Sequence, residues 1–186
     1  MMDRFLGTVP IEAEPALESF VRALPAGTLR KEWMWAFHGG KTSAYETPYG
    51  STVYLSHVTS FGHLVVAVVD DKGGIVERLR AQVAVADLPA LARRAQRAAT
   101  DAAKVDALCA LASAQSMAGS DALPEFVAAE RRALDDPNRG VRLAAIRASA
   151  ILPLKDALAL LDGREDPENP DLAGWREHYR EQLEQG

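Results

Sequence analysis

One cysteine in 186 residues means that no disulfide joins two parts of this chain. Cys109 lies in an alanine-leucine stretch, where a buried and inert thiol is expected. A reactive thiolate would want a cation at helical spacing, and Lys104 is out of phase with it. A reducing compartment follows as the simpler setting, so the expected location is cytoplasmic. Long apolar runs are also missing. The longest strongly apolar segment, Leu64 to Val69, has strand length, far short of a membrane span. The opening MMDRFLGTVP has no basic end followed by a hydrophobic stretch and a small-residue cleavage site, so no signal peptide is expected.

The chain is equally poor in catalytic signatures. No serine sits in a Gly-x-Ser-x-Gly elbow. Gly40-Lys41-Thr42 lacks the earlier glycine of a phosphate loop, since Trp35 stands there, and a glycine turn between strands is the better reading. His38, His57 and His63 lack the spacing with Cys, Asp or Glu that marks a zinc site. No catalytic or metal-ligating set is therefore assigned, and the chain reads as a non-enzyme. Charge argues against a further class. The formal charge of −5 is uneven, with ten bases against eight acids over 88–156 and three against eight over 157–186. A mildly basic middle and an acidic tail are not the basic domain that nucleic acid requires.

What is present divides into two halves, a sheet domain over 1–86 and a helical domain over 87–186. Leu17, Phe20, Val21 and Leu24 fall at i, i+3, i+4 and i+7, which predicts an amphipathic helix over Ile11 to Leu24. From Leu29 the period becomes two. Leu29, Trp33, Trp35 and Phe37 would face one way and Arg30, Glu32 and His38 the other, a half-buried strand with two tryptophans anchoring a core. Strands follow at about 51–58 and 62–70, the second apolar on both faces and so central. Asp70 to Gly74 reads as a hairpin loop into a long strand, Ile75 to Val85, with Leu79, Ala81, Val83 and Val85 inward. The expectation is α+β: one helix on a four-stranded antiparallel meander. Tyr45, Glu46, Tyr49 and Tyr54 surround a predicted long loop, ETPYG.

In the second half Leu-Pro recurs at Leu88-Pro89, Leu123-Pro124 and Leu152-Pro153, roughly every 35 then 30 residues, the range of helix-pair repeats. Asp87 is placed to cap the first of these helices. The core of the middle unit is predicted to hold Leu123, Phe126, Val127, Leu134, Val141 and Ile146. Leu172, Trp175, Tyr179 and Leu183 form an apolar stripe on the last helix, suited to closing a stack.

The segment from Leu123 to Ile151 resembles a HEAT repeat: a helix ending in Leu-Asp-Asp-Pro, a turn, then Val-Arg-x-Ala-Ala-Ile opening a second helix. The copies on either side depart from it, with Lys104-Val105-Asp106 in the first and the acidic loop DGREDPENPD in the third. The resemblance implies an all-α stack of about three pairs, a tie between adjacent repeats through Asp136 and Arg142, and a groove lined by the second helices. It implies a binding scaffold, so the expected function is that of an adaptor or regulatory protein. Arg139, Arg142 and Arg147 would be its partner-binding residues, and an acidic protein its partner. Acidic residues interspersed among the arginines argue instead for solvated, salt-bridged faces.

The segment GHLVVAVVDDKGGIVERLRA resembles the core hairpin of small FMN-binding domains, although the covalent-attachment motif of some members is absent. That resemblance implies an alternative, a flavin- or small-ligand-binding protein using Tyr54, His57, Thr59 and His63.

Overall fold

The computed structural model describes residues 4–34, 40–58, 61–119 and 121–185. The chain forms two compact units, residues 1–91 and 92–186.

The first unit is an antiparallel sheet carrying two helices on one face. Its strands are β1 (Arg4–Pro10), β2 (Leu29–Met34), β3 (Lys41–Glu46), β4 (Thr52–Val58), β5 (His63–Val69) and β6 (Ala86–Asp87), with helix α1 (Glu14–Arg22) after β1 and α2 (Ile75–Gln82) after β5. The strand order is β2-β3-β4-β5-β1-β6. Six strands therefore replace the expected four. β1 was not predicted, because Gly7 and Pro10 interrupt a short segment. Gly7 is there for space, since a Cβ would lie 2.6 Å from Val85 Cγ1 and 3.0 Å from the Ala86 carbonyl oxygen of the adjoining strand.

β5 is buried from His63 to Val68, as its two apolar faces predict. Val53, Leu55, Leu64, Val66 and Val68 on one sheet face pack with Leu17 and Phe20 of α1 and Ile75 and Leu79 of α2.

Three expectations for this half are corrected. Ile75 to Gln82 is a helix, and its apolar residues fit either period. Asp71 decides the outcome locally: its Oδ1 accepts the Ile75 amide at 2.7 Å, satisfying a donor at the start of α2. Ala81, expected inward, is exposed. The strand from Leu29 lies at the sheet edge with every residue exposed, so Trp33 is a half-exposed edge residue and no core anchor. Trp35, Phe37 and His38 lie outside the described residues. Finally, ETPYG is a tight turn: Thr47 donates its amide to the Ser51 carbonyl at 2.9 Å, joining β3 directly to β4.

The second unit is helical, as predicted. Its helices are α3 (Leu88–Arg97, which begins within the first unit), α4 (Asp101–Ser116), α5 (Pro124–Leu134), α6 (Arg139–Ala148), α7 (Leu154–Leu161) and α8 (Asp171–Gln185), and no described residue beyond Asp87 is in a strand. They form three packed pairs, each opened by one of the Leu-Pro steps. Asp87 caps α3, accepting the Ala90 amide at 3.0 Å. Phe126, Leu134, Val141 and Ile146 are buried as predicted, while Leu123 and Val127 are half-buried. Leu172 and Tyr179 of the closing stripe are buried, and Leu183 is exposed. Among the described residues no helix is long and apolar enough to cross a membrane.

Candidate partner-binding surface of the helical stack

The second helix of each of the first two pairs starts from a side-chain cap. Thr100 Oγ1 accepts the Ala103 amide to start α4, and Asn138 Oδ1 accepts the amides of Gly140 and Val141 to start α6. These caps bring polar side chains to one end of the stack, where they link successive pairs. Lys104, in the first turn of α4, donates to Asp136 Oδ2 at 2.7 Å, and Asn138 Nδ2 donates to Asp101 Oδ2 at 2.7 Å.

One pair further on the arrangement recurs. Arg142, in the first turn of α6, grips Asp166 with Nε at 2.6 Å from Oδ2 and Nη2 at 3.3 Å from Oδ1, and also pairs with Glu168. Its Nη1 donates to the carbonyls of Asp136 and Pro137 at 2.9 and 3.0 Å. Asn169, itself buried, donates to Asp166 Oδ2 at 2.7 Å, and Arg164 pairs with Asp135.

The electrostatics follow the contacts. Lys104 holds the Asp136 carboxyl below its usual range, and Asp136 in turn raises the Lys104 ammonium. Arg142 holds Asp166 at about 2, while Asp166 and then Glu168 push the guanidinium further up. Such groups keep fixed charges at all physiological pH values. They suit structural ties and do not suit proton transfer.

Sequence reasoning placed a tie at Asp136 and Arg142, and both residues do join neighbouring pairs, but in opposite directions. Asp136 reaches back to the first pair and Arg142 reaches forward to the third. Lys104, Asp101, Asp166 and Asn169 were missed as members. A signal for them existed in the Asp-Pro step, which recurs at Asp136-Pro137 and Asp166-Pro167 with the same spacing of about thirty residues as the last two Leu-Pro steps.

Of the three arginines expected to bind a partner, Arg142 is thus occupied within the stack. Arg139 is exposed but shares a 3.4 Å contact with Asn169 Oδ1. Arg147 is exposed and makes no ion pair among the described residues. Arg139, Leu143 and Arg147 succeed one another at four-residue steps, so they form one row along α6. α4 offers no comparable row, being buried nearly all round from Ala107 to Gln115. Beside the Arg142 tie a recess of about 410 Å³ is lined by Leu134, Ile146, Leu172 and the charged side chains of Arg164, Glu165 and Asp166.

The residues of the alternative reading do not come together. Strand alternation puts Tyr54 on one sheet face and His57 on the other, and His63, paired with Val58, shares the face of Tyr54. Thr59 lies outside the described residues. The hairpin on which the FMN resemblance rested is not formed, because α2 replaces its second strand. His57 instead borders a recess of about 210 Å³ between α1 and the sheet, with Glu14, Lys41, Ser43 and Tyr45 around it and Leu17, Leu55 and Leu64 at its floor. His57 Nε2 stands 3.5 Å from Glu14 Oε1. No group of His, Cys, Asp or Glu among the described residues could hold a metal ion. Cys109 is half-buried where full burial was expected, and partial desolvation raises its thiol further from the reactive thiolate form.

No family model, curated protein or solved structure matches this chain. In the stack, the ties between pairs account for Asp101, Lys104, Asp136, Asn138, Arg142 and Asp166. One buried acid there stands apart: Glu130 of α5 is fully buried, and neither carboxylate oxygen has a hydrogen-bond partner among the described residues. Desolvation pushes its carboxyl well above the ordinary value. Tyr179, whose hydroxyl meets Ser149 Oγ at 3.2 Å, lies within its electrostatic reach. Glu130 lines none of the recesses described above, so it belongs to the core.

Proposed function

We propose that this chain is a non-enzymatic adaptor whose helical stack binds another protein, one with an acidic surface, through the outer row of α6. The observation that carries this reading is the division of labour among the arginines. Arg142 is consumed in holding the pairs together, whereas Arg147, and largely Arg139, project from a helix whose position those ties fix. A cationic row on a rigid helix presents charge to a partner without an ordering cost. Arg139 sits at the start of α6, where the helix dipole disfavours a cation, so its place there fits a role outside the helix.

The test is a binding measurement with the double variant Arg139→Glu/Arg147→Glu, using a partner captured from the native cell. The expected outcome is strong weakening, greatest at low salt, with thermal stability nearly unchanged. A partner whose affinity ignores both reversals would overturn the assignment.

A further inference from the structure

The six-strand sheet is open at β2. β2 pairs with β3 on one side and ends the strand order on the other, leaving half of its backbone amides and carbonyls without a strand partner among the described residues. All six of its residues are exposed, including Leu29 at 62%, Trp33 at 39% and Met34 at 71%. The opposite edge is protected by its shortness, since β6 has two residues.

Charges on an edge strand ordinarily block pairing with another chain. Here their order does the reverse for one particular partner, a second copy of this strand. Two copies related by a two-fold axis perpendicular to the sheet run antiparallel, and residues opposite each other share a face. With Lys31 on the axis, Arg30 of each copy meets Glu32 of the other, twice, on the face that carries α1 and α2. On the other face Leu29 meets Trp33, again twice. Shifting the register by one allowed step either way opposes Arg30 to Arg30 or Glu32 to Glu32.

Lys31 opposes itself in this arrangement, but each Lys31 is already held by Glu46 at 2.8 Å. Glu32, gathered by Arg30, Lys41 and Ser43, stays ionised well below neutral pH and so is a charged partner at any working pH. Trp33 is steadied by an edge contact with Tyr54 at 6.2 Å, which keeps its ring on the face where Leu29 would arrive.

The geometry points to self-association of this protein through antiparallel β2–β2 pairing centred on Lys31, joining two sheets into one. This inference stands apart from the proposed partner of α6, which lies in the other unit.

Charge complementation tests it. Sedimentation of the full chain over a range of concentrations should show a monomer–dimer equilibrium. Arg30→Glu alone and Glu32→Arg alone should each weaken dimerisation roughly tenfold or more, because each places like charges opposite one another twice. An equimolar mixture of the two variants should recover dimers as heterodimers, distinguishable by native mass, since every cross-pair is then opposite in sign. Leu29→Asp, at a position too exposed to affect folding, should also weaken the dimer while leaving the circular dichroism melt in place. A chain that stays monomeric at the highest concentration overturns the proposal. So does a dimer indifferent to these changes, or one lost in both variants and not recovered on mixing.

Discussion

Between α1, α2 and the sheet the fully buried residues are branched aliphatics and one phenylalanine, Phe20. In the helical stack alanines 107, 110, 112, 114, 129, 133, 145, 148 and 157 supply much of the buried surface, and the pairs are also joined at their turns by ions. Small side chains let helices approach closely but bury little apolar area and interlock weakly. Register in the stack therefore needs a second device. The Lys104–Asp136 and Arg142–Asp166 ties provide one, because charge-assisted hydrogen bonds are directional where alanine contacts are not. The sheet unit has no such need, since its ladder of backbone hydrogen bonds and interdigitated Val, Leu and Ile fix register by themselves.

By this contrast, the few large side chains in the stack carry a disproportionate share of its stability. Phe126→Ala, at a fully buried position, should cost roughly 3–5 kcal/mol in chemical denaturation. A loss below about 1 kcal/mol would mean that the stack tolerates the cavity and that the alanine contacts carry more of its stability than the large side chains do.

The next effect is smaller and depends on pH. Burial holds the Glu130 carboxyl well above its ordinary 4.5. Above that pH the unfolded chain has released a proton that the folded chain keeps, so stability falls as pH rises, until the folded group also ionises. Glu130→Met should remove that slope and stabilise the protein by about 1–3 kcal/mol at neutral pH, since an unpaired polar group is exchanged for a thioether of similar size. Denaturation midpoints across a pH series measure both, and an unchanged slope would show that Glu130 finds a partner in solution.

The smallest effect separates ties from surface. Arg142→Ala should lower the thermal midpoint, and Arg142→Lys should not restore it, because the grip on Asp166 is two-pronged. Arg147→Ala should leave the midpoint where it was. Asp166 has its folded carboxyl at about 2 against an ordinary 3.8, so the tie's contribution is present above 3.8 and is lost as pH falls toward 2. In Arg142→Ala that acid-side loss should be largely absent. Equal midpoints for the Arg142 and Arg147 variants would erase the distinction on which the α6 surface rests.

The two units also differed in how far they could be read in advance. In the helical half each local signal pointed the same way: Leu-Pro at the helix starts, Asp87 as a cap, and apolar residues of the middle pair at helical spacing. Helices satisfy their backbone hydrogen bonds within one segment, so local sequence is enough to specify them. β5 was legible for a different reason, its uninterrupted apolar run leaving no solvated face. Ile75 to Val85 was not, because its apolar residues fit both periods and the choice fell to Asp71 and the packing of Ile75 and Leu79 against the sheet. β1 gains its partners, β5 and β6, from segments distant in the chain, and no local pattern announces such pairing.

The candidate site divides in the same way. That arginines lie along α6 is written in residue order alone, as are the one-sided charge of the tail and the lack of any catalytic motif. Which arginine is free was decided by tertiary structure, since Asp166 reaches Arg142 from 24 positions further along the chain. The edge position of β2 was decided there too: a strand's place in a sheet depends on which strands find each other, and its own side chains do not encode that.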